Sequence, residues 1–140
     1  MPSPPRVAKP APLPALMLAA VIALPGCATV ERDRQASALQ YSTNAYREAI
    51  RWGYWRAAAE LLHPDAQEDL DLAAFENIRV TGIELVGPAA ITPENTAARL
   101  VQIDYVLEDE QRVKRLLDRQ DWRWDDTRKA WLLHSGLPAF

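Results

Sequence analysis

Among the side chains able to do chemistry, one thiol stands apart. Cys27 is the only cysteine in 140 residues, so no intrachain disulfide can form, and a lone thiol asks for a reason. The other usual chemistries are missing from the sequence. With two histidines, His63 and His134, no cysteine pair and no HxxxH-type spacing, no metal site is expected. No glycine-rich phosphate loop or elbow serine is present, so no cofactor is expected either. Ser135 follows His134, but neighbours on a strand point to opposite faces and cannot form a dyad. His63, ahead of Pro64, reads as a helix-end residue. The aromatics are abundant: Trp52, Trp55, Trp122, Trp124 and Trp131 accompany four tyrosines. They can fill a core, with Trp124 and Trp131 pairing across the last turn. Alternatively Trp55, Trp122, Trp124 and Trp131 line a pocket or exposed patch that grips a small apolar ligand or a partner protein.

The position of Cys27 supplies its reason. Residues 1–10 carry Arg6 and Lys9 and no acid, and residues 11–24 form an apolar run of 14. That is the length of a signal-peptide apolar region. It is too short for the roughly 20 apolar residues of a spanning helix, and Pro12 and Pro14 interrupt it. The run ends in Leu24-Pro25-Gly26-Cys27, which resembles the lipobox of bacterial lipoproteins. The resemblance implies diacylglycerol on the Cys27 sulfur, cleavage between Gly26 and Cys27, and acylation of the new N-terminus. Pro25 departs from the pattern's usual small or β-branched residue. Each buried methylene contributes about 0.8 kcal/mol, so two or three acyl chains on one cysteine make a lasting anchor where one does not. Ala28 stands where an aspartate would signal inner-membrane retention in enterobacteria. The resemblance therefore implies the outer membrane, facing the periplasm.

Removing residues 1–26 takes away two bases and no acid, leaving 14 bases against 19 acids and a net charge of −5. An acidic domain with no basic tract argues against nucleic acid as a partner. The expected organisation is a signal peptide over 1–26, a lipidated tether over 27–37 and one domain over 38–140. Ala38, Tyr41, Ala45, Ala49 and Trp52 repeat at helical spacing, widened by Leu39, Tyr46 and Ile50, and Gly53 ends the helix. A second helix is expected over 54–62, stopped before Pro64. A third is expected from an Asp65/Glu68 capping pair to about Phe75, burying Leu70, Ala73 and Ala74. The period then changes to two. Residues 78–86 alternate with a slip at Gly82 that predicts a β-bulge. In 96–107, Ala97, Val101, Ile103, Tyr105 and Leu107 share one face. Two more strands, 111–124 and 130–135, follow the acidic Glu108-Asp109-Glu110 turn and the 125–129 turn. The predicted class is α+β, with N-terminal helices packed on a curved four-stranded antiparallel sheet, behind the signal peptide.

This order resembles the cone-shaped nuclear-transport-factor-2-like superfamily. Residues 46–64, YREAIRWGYWRAAAELLHP, look like its opening helix pair, and DRQDWRWDDTRKAWLL like its last hairpin. With the lipobox, the combination resembles small envelope lipoproteins of proteobacteria. The superfamily includes ketosteroid isomerase, scytalone dehydratase and limonene-epoxide hydrolase beside many non-enzymes. The resemblance makes Asp104, Asp118, Tyr105 and His134 the candidates for catalysis inside the cone. Each has a plainer role available. If the hairpin turns between Asp109 and Glu110, Asp104 sits within two positions of Arg115 across the strands, an ordinary cross-strand pair. Asp118 lies nearer the middle and either faces a cavity or is solvated or arginine-paired. His134 packs at half exposure. The leading expectation is a non-enzymatic envelope binding or accessory module. The alternatives are a small acid–base enzyme with Asp104 or Asp118 as base, and a structural subunit, with homodimerisation through the open sheet face as the family implies.

Overall fold

The computed structural model describes residues 1–3, 5, 26–87 and 89–140. Residues 6–25, which hold most of the expected signal peptide and Leu24 and Pro25 of the lipobox-like run, lie outside them. Helix α1 runs over Gly26–Trp52. Residues 28–37, expected to be a tether, are its first turns. The stretch ATVERDRQAS holds no Pro or Gly and is rich in Ala, Glu, Arg and Gln, which propagate a helix readily. A tertiary contact secures it: the Trp131 indole Nε1 donates to the Gln35 carbonyl at 2.8 Å, with Trp131 fully buried.

The buried face of α1 is Gln35, Leu39, Ser42, Thr43, Tyr46, Ala49 and Ile50. Tyr41 and Trp52, expected inward, are 76% and 61% exposed. The alanines of the predicted stripe suit either side of the helix. The bulky Leu39, Tyr46 and Ile50 therefore decide its rotation, since burying the larger side chains gains most. Gly53, at φ 70°, ends the helix, and the Tyr54 N–H closes back on the Ala49 carbonyl at 2.8 Å.

Helix α2 is short, Trp55–Ala59. The third helix is absent, replaced by two 3₁₀ turns at Pro64–Ala66 and Leu72–Phe75. Side-chain acceptors restart the chain at each: His63 Nδ1 takes the Asp65 N–H, and Asp71 Oδ1 takes the Ala73 N–H. Asp65 thus receives a cap rather than providing one. Ala73 and Ala74 are exposed, so no apolar stripe exists to hold a longer helix. Between α2 and the first turn, the chain docks on the sheet through His63 N–H to the Leu133 carbonyl and Leu133 N–H to the Leu61 carbonyl.

The strands are β1 (Ile78–Leu85), β2 (Ala90–Ile91), β3 (Thr96–Leu107), β4 (Val113–Asp125) and β5 (Ala130–Leu133). They pair antiparallel in the order β1-β3-β4-β5, with the two-residue β2, not anticipated from the sequence, on the β1 side of β3. The architecture is α+β, a helix packed across a curled antiparallel sheet. The bulge falls where Gly82 predicted it, as a register shift between Val80 and Gly82. It has a consequence for the interior. Val80 faces inward opposite Tyr105, and the extra residue brings Ile83 and Leu85 back inward, opposite Ile103 and Val101. Nearby, Arg51 of α1 donates to the Val80 carbonyl, fixing the helix end to the strand.

Tyr46, Ile50, Leu62, Ile103, Trp122, Trp131 and Leu133 are fully buried large side chains of the core. Tyr46 meets Trp122 edge-to-face with ring centroids 5.7 Å apart. Burying an indole of about 200 Å² contributes roughly 5 kcal/mol before ordering costs. Phe140 closes the far end against Tyr105 and Trp55, at 4.9 and 5.7 Å between centroids.

Candidate functional site

A cavity of about 420 Å³ lies between α1 and the inward face of the sheet, at the end carrying β2. That volume is in the roughly 300–1,000 Å³ range of small-molecule sites. The two secondary-structure periods build it. Ala36, Gln40, Thr43 and Arg47 of α1 recur at steps of four, three and four, a stripe beside the buried face of the helix. Ile83 and Leu85 enter from β1 because of the bulge. Arg99 and Val101 enter from β3 by alternation, and Gln120 comes from β4 directly opposite Arg99. The wall is thus apolar along Leu39, Ile83, Leu85, Ile91 and Val101, and polar where Arg47, Arg99 and Gln120 converge. Among the described residues it contains no acidic one.

Two polar features of this region are unusual. Arg99 Nε is buried and has no hydrogen-bond partner among the described residues. Burial, and then the charge of Arg47, lower the Arg99 pKa from its ordinary value. The second feature is a chain of buried polar groups along β4. Trp122 Nε1 donates to Gln120 Oε1 at 3.3 Å, and Gln120 Nε2 donates to Asp118 Oδ2 at 2.9 Å. Burial raises the Asp118 pKa, against the opposing pull of the Gln120 hydrogen bond. The hydroxyl of Tyr46 is buried near this carboxylate with no hydrogen-bond partner among the described residues, and its pKa is raised well above the ordinary phenol value by burial and by Asp118.

The sequence candidates are dispersed rather than gathered. Asp104 faces the outside, held by Arg115 Nε at 2.6 Å and by a second nitrogen at 3.0 Å, in the register expected. The Arg115 hydrogen bond holds its carboxyl below the usual range, the reverse of a poised base. Tyr105 is in the core against Phe140. His134 stacks on His63 at 4.2 Å beyond β5, away from the cavity, and its pKa is lowered by burial, by His63 and by Arg123. Of the two candidate carboxylates only Asp118 is on the inward face, opposite Val101, yet it is not part of the cavity wall. No three His, Cys, Asp or Glu side chains gather to hold a metal among the described residues.

The tryptophans do not form the cavity either. Trp122 and Trp131 are fully buried, and Trp124 packs on Trp131 at 5.9 Å across the last turn. Trp55 sits half-buried against Phe75 at 5.0 Å. The cavity wall is aliphatic, amide and guanidinium instead. Sequence reasoning passed over Arg99, although the signal was present: a charge in phase with Ala97, Val101 and Ile103 on an inward-facing strand. Cys27 is exposed, with its thiol free, in the first turn of α1. Compared with family models, with curated proteins and with solved structures, the chain matches none.

Proposed function

We propose that the chain is a lipid-anchored binding module of the cell envelope, cleaved after Gly26, held by diacylglycerol on Cys27, and placed on the periplasmic side of the outer membrane. The cavity between α1 and the sheet carries the binding half of this reading. It is large enough for a small ligand, with an aliphatic side and a polar side that includes Arg47, Arg99 and Gln120. The anchoring half rests on the lipobox and on an exposed thiol at the head of α1. From Cys27 to Gln35, the first buried position, the helix rises about 12 Å, a stiff spacer in place of a flexible tether. A partner protein of the envelope remains compatible with the same anchored geometry.

The test is extraction of the protein purified from its own membranes. The wild type should yield a bound small molecule. Ala36→Trp, a change at an exposed wall position that fills the cavity without entering the core, should not. Equal yields from both proteins would place binding elsewhere.

One observation favours the acid–base alternative: Asp118 is inward, raised by burial, and near the unpartnered Tyr46 hydroxyl. Neither group is part of the cavity wall, so a substrate held there does not meet them. Loss of an isomerase-type turnover in Asp118→Asn with unchanged ligand affinity would restore this reading.

A further inference from the structure

The sheet treats two of its arginines very differently. On the outer face, Arg115 is opposite Asp104 and makes two bonds to its carboxylate. On the inner face, Arg99 is opposite Gln120, and nothing among the described residues satisfies its buried Nε. Gln120 does not serve it: the amide carbonyl takes the Trp122 indole, and the amide N–H₂ is turned along β4 to Asp118. The Arg99 side chain as a whole is half-buried, but its Nε is withdrawn from water, and a buried donor without an acceptor is costly and in folded proteins normally paired. A second guanidinium, Arg47, stands at the exposed rim of the same cavity, and its charge disfavours the protonated form of Arg99. Among the described residues, two like charges, one with a buried unmet donor, share a wall with no carboxylate.

We propose that this cavity binds a small amphiphile with a single anionic head, a carboxylate or phosphate held by Arg99 and Arg47, whose apolar body lies along Leu39, Ile83, Leu85 and Val101. The inference rests on the binding-module reading above and adds the ligand's chemistry. The planar fork of arginine matches the paired oxygens of a carboxylate or phosphate, and an anion there answers both the unmet Nε and the repulsion between the guanidinium groups. The apolar length of the wall excludes a bare inorganic ion as the best fit. Leu85 and Ile91 are 48% and 37% exposed at the rim, an apolar entrance that an alkyl chain would cover.

The test compares two fluorescent probes with the same rings, anilinonaphthalene sulfonate and the neutral phenylnaphthylamine. They are titrated into the full chain in phosphatidylcholine nanodiscs, with empty nanodiscs subtracted. The sulfonate should bind roughly tenfold tighter or more, the size of one charge-assisted hydrogen bond. Arg99→Gln should bring the ratio close to one while leaving the neutral probe's affinity unchanged. Arg47→Gln, at an exposed position that cannot disturb the core, should weaken the sulfonate severalfold and decides the matter should the Arg99 variant not fold. Displacement by decanoate would identify a fatty-acid-like source, and displacement by dihexanoyl phosphatidate a phospholipid head; both support the proposal. Probes that bind alike, with a ratio indifferent to both arginine changes, overturn the anionic head and leave the binding-module reading standing. Failure of both probes to bind overturns the anionic-head proposal and the binding-module reading together.

Discussion

Replacing Tyr46 with phenylalanine should make the protein more stable, the opposite of what a change at a fully buried position usually does. Tyr46 is 1% exposed, and its hydroxyl has no partner among the described residues. A buried hydroxyl left unpaired costs about 1–3 kcal/mol, and its removal recovers that amount when the shape of the site is kept. Phenylalanine keeps the edge-to-face contact of the ring with Trp122 at 5.7 Å, so little packing is lost. The void left by one oxygen subtracts a few tenths of a kcal/mol, leaving a net gain of about 1–2 kcal/mol. For a domain near a hundred residues, 1 kcal/mol moves the midpoint of melting by about 4 °C, so a rise of about 4–8 °C is expected. Differential scanning calorimetry of the two proteins at pH 7, with urea unfolding for the free energy, measures it. A fall of 1 kcal/mol or more in Tyr46→Phe would mean that the hydroxyl is paired in solution and would refute the reasoning.

Other consequences follow from the same geometry. Asp118 has a folded-state pKa raised by burial, so the native state holds its proton more tightly than the unfolded chain does. That contribution is fully present below the unfolded aspartate value and is lost as pH rises through the folded one. Asp118→Asn, which keeps an acceptor for Gln120, should therefore be more stable than wild type at pH 7, with the difference shrinking towards pH 4 in urea titrations. Trp131→Phe removes the bond to the Gln35 carbonyl and part of a fully buried ring, and should cost about 2–3 kcal/mol. Hydrogen exchange should speed up most between Gln35 and Leu39 in that variant, because the bond is what pins this part of α1. Asp104→Asn breaks a surface pair with Arg115 on the outer face and should leave probe binding in the cavity unchanged.

The strands were more legible than the helices, for physical reasons visible in particular residues. A side-chain period of two is unforgiving. Placing the turn between Asp109 and Glu110 fixes Asp104 against Arg115, and the phase slip at Gly82 has to become a bulge. Trp124 and Trp131 flank a short turn and meet across it for the same reason. The face of α1 was harder, because Ala38, Ala45 and Ala49 occur on both possible sides. Only packing against the sheet decides that Gln35, Ser42 and Thr43 go in and Tyr41 stays out. The beginning of α1 depends on a contact with Trp131, 96 positions away, which no local pattern announces. The false third helix came from reading Asp65 as a cap when the preceding His63 supplies the acceptor. The cavity itself was hidden because attention to apolar alternation on β3 stepped over Arg99, the residue whose charge sets it apart. Asp118 was legible as an inward candidate, and the period of two puts Gln120 and Trp122 on the same face of β4, but the hydrogen bonds that join the three follow only from packing.

The anchored reading is tested most directly by the intact mass of the protein isolated from membranes, taken beside Cys27→Ser. The account predicts a wild-type polypeptide that starts at residue 27 and carries the added mass of a diacylglycerol, while the serine variant keeps residues 1–26 and gains no lipid. A wild-type protein found uncleaved there with a free thiol, or a variant trimmed and membrane-bound like its parent, would contradict it.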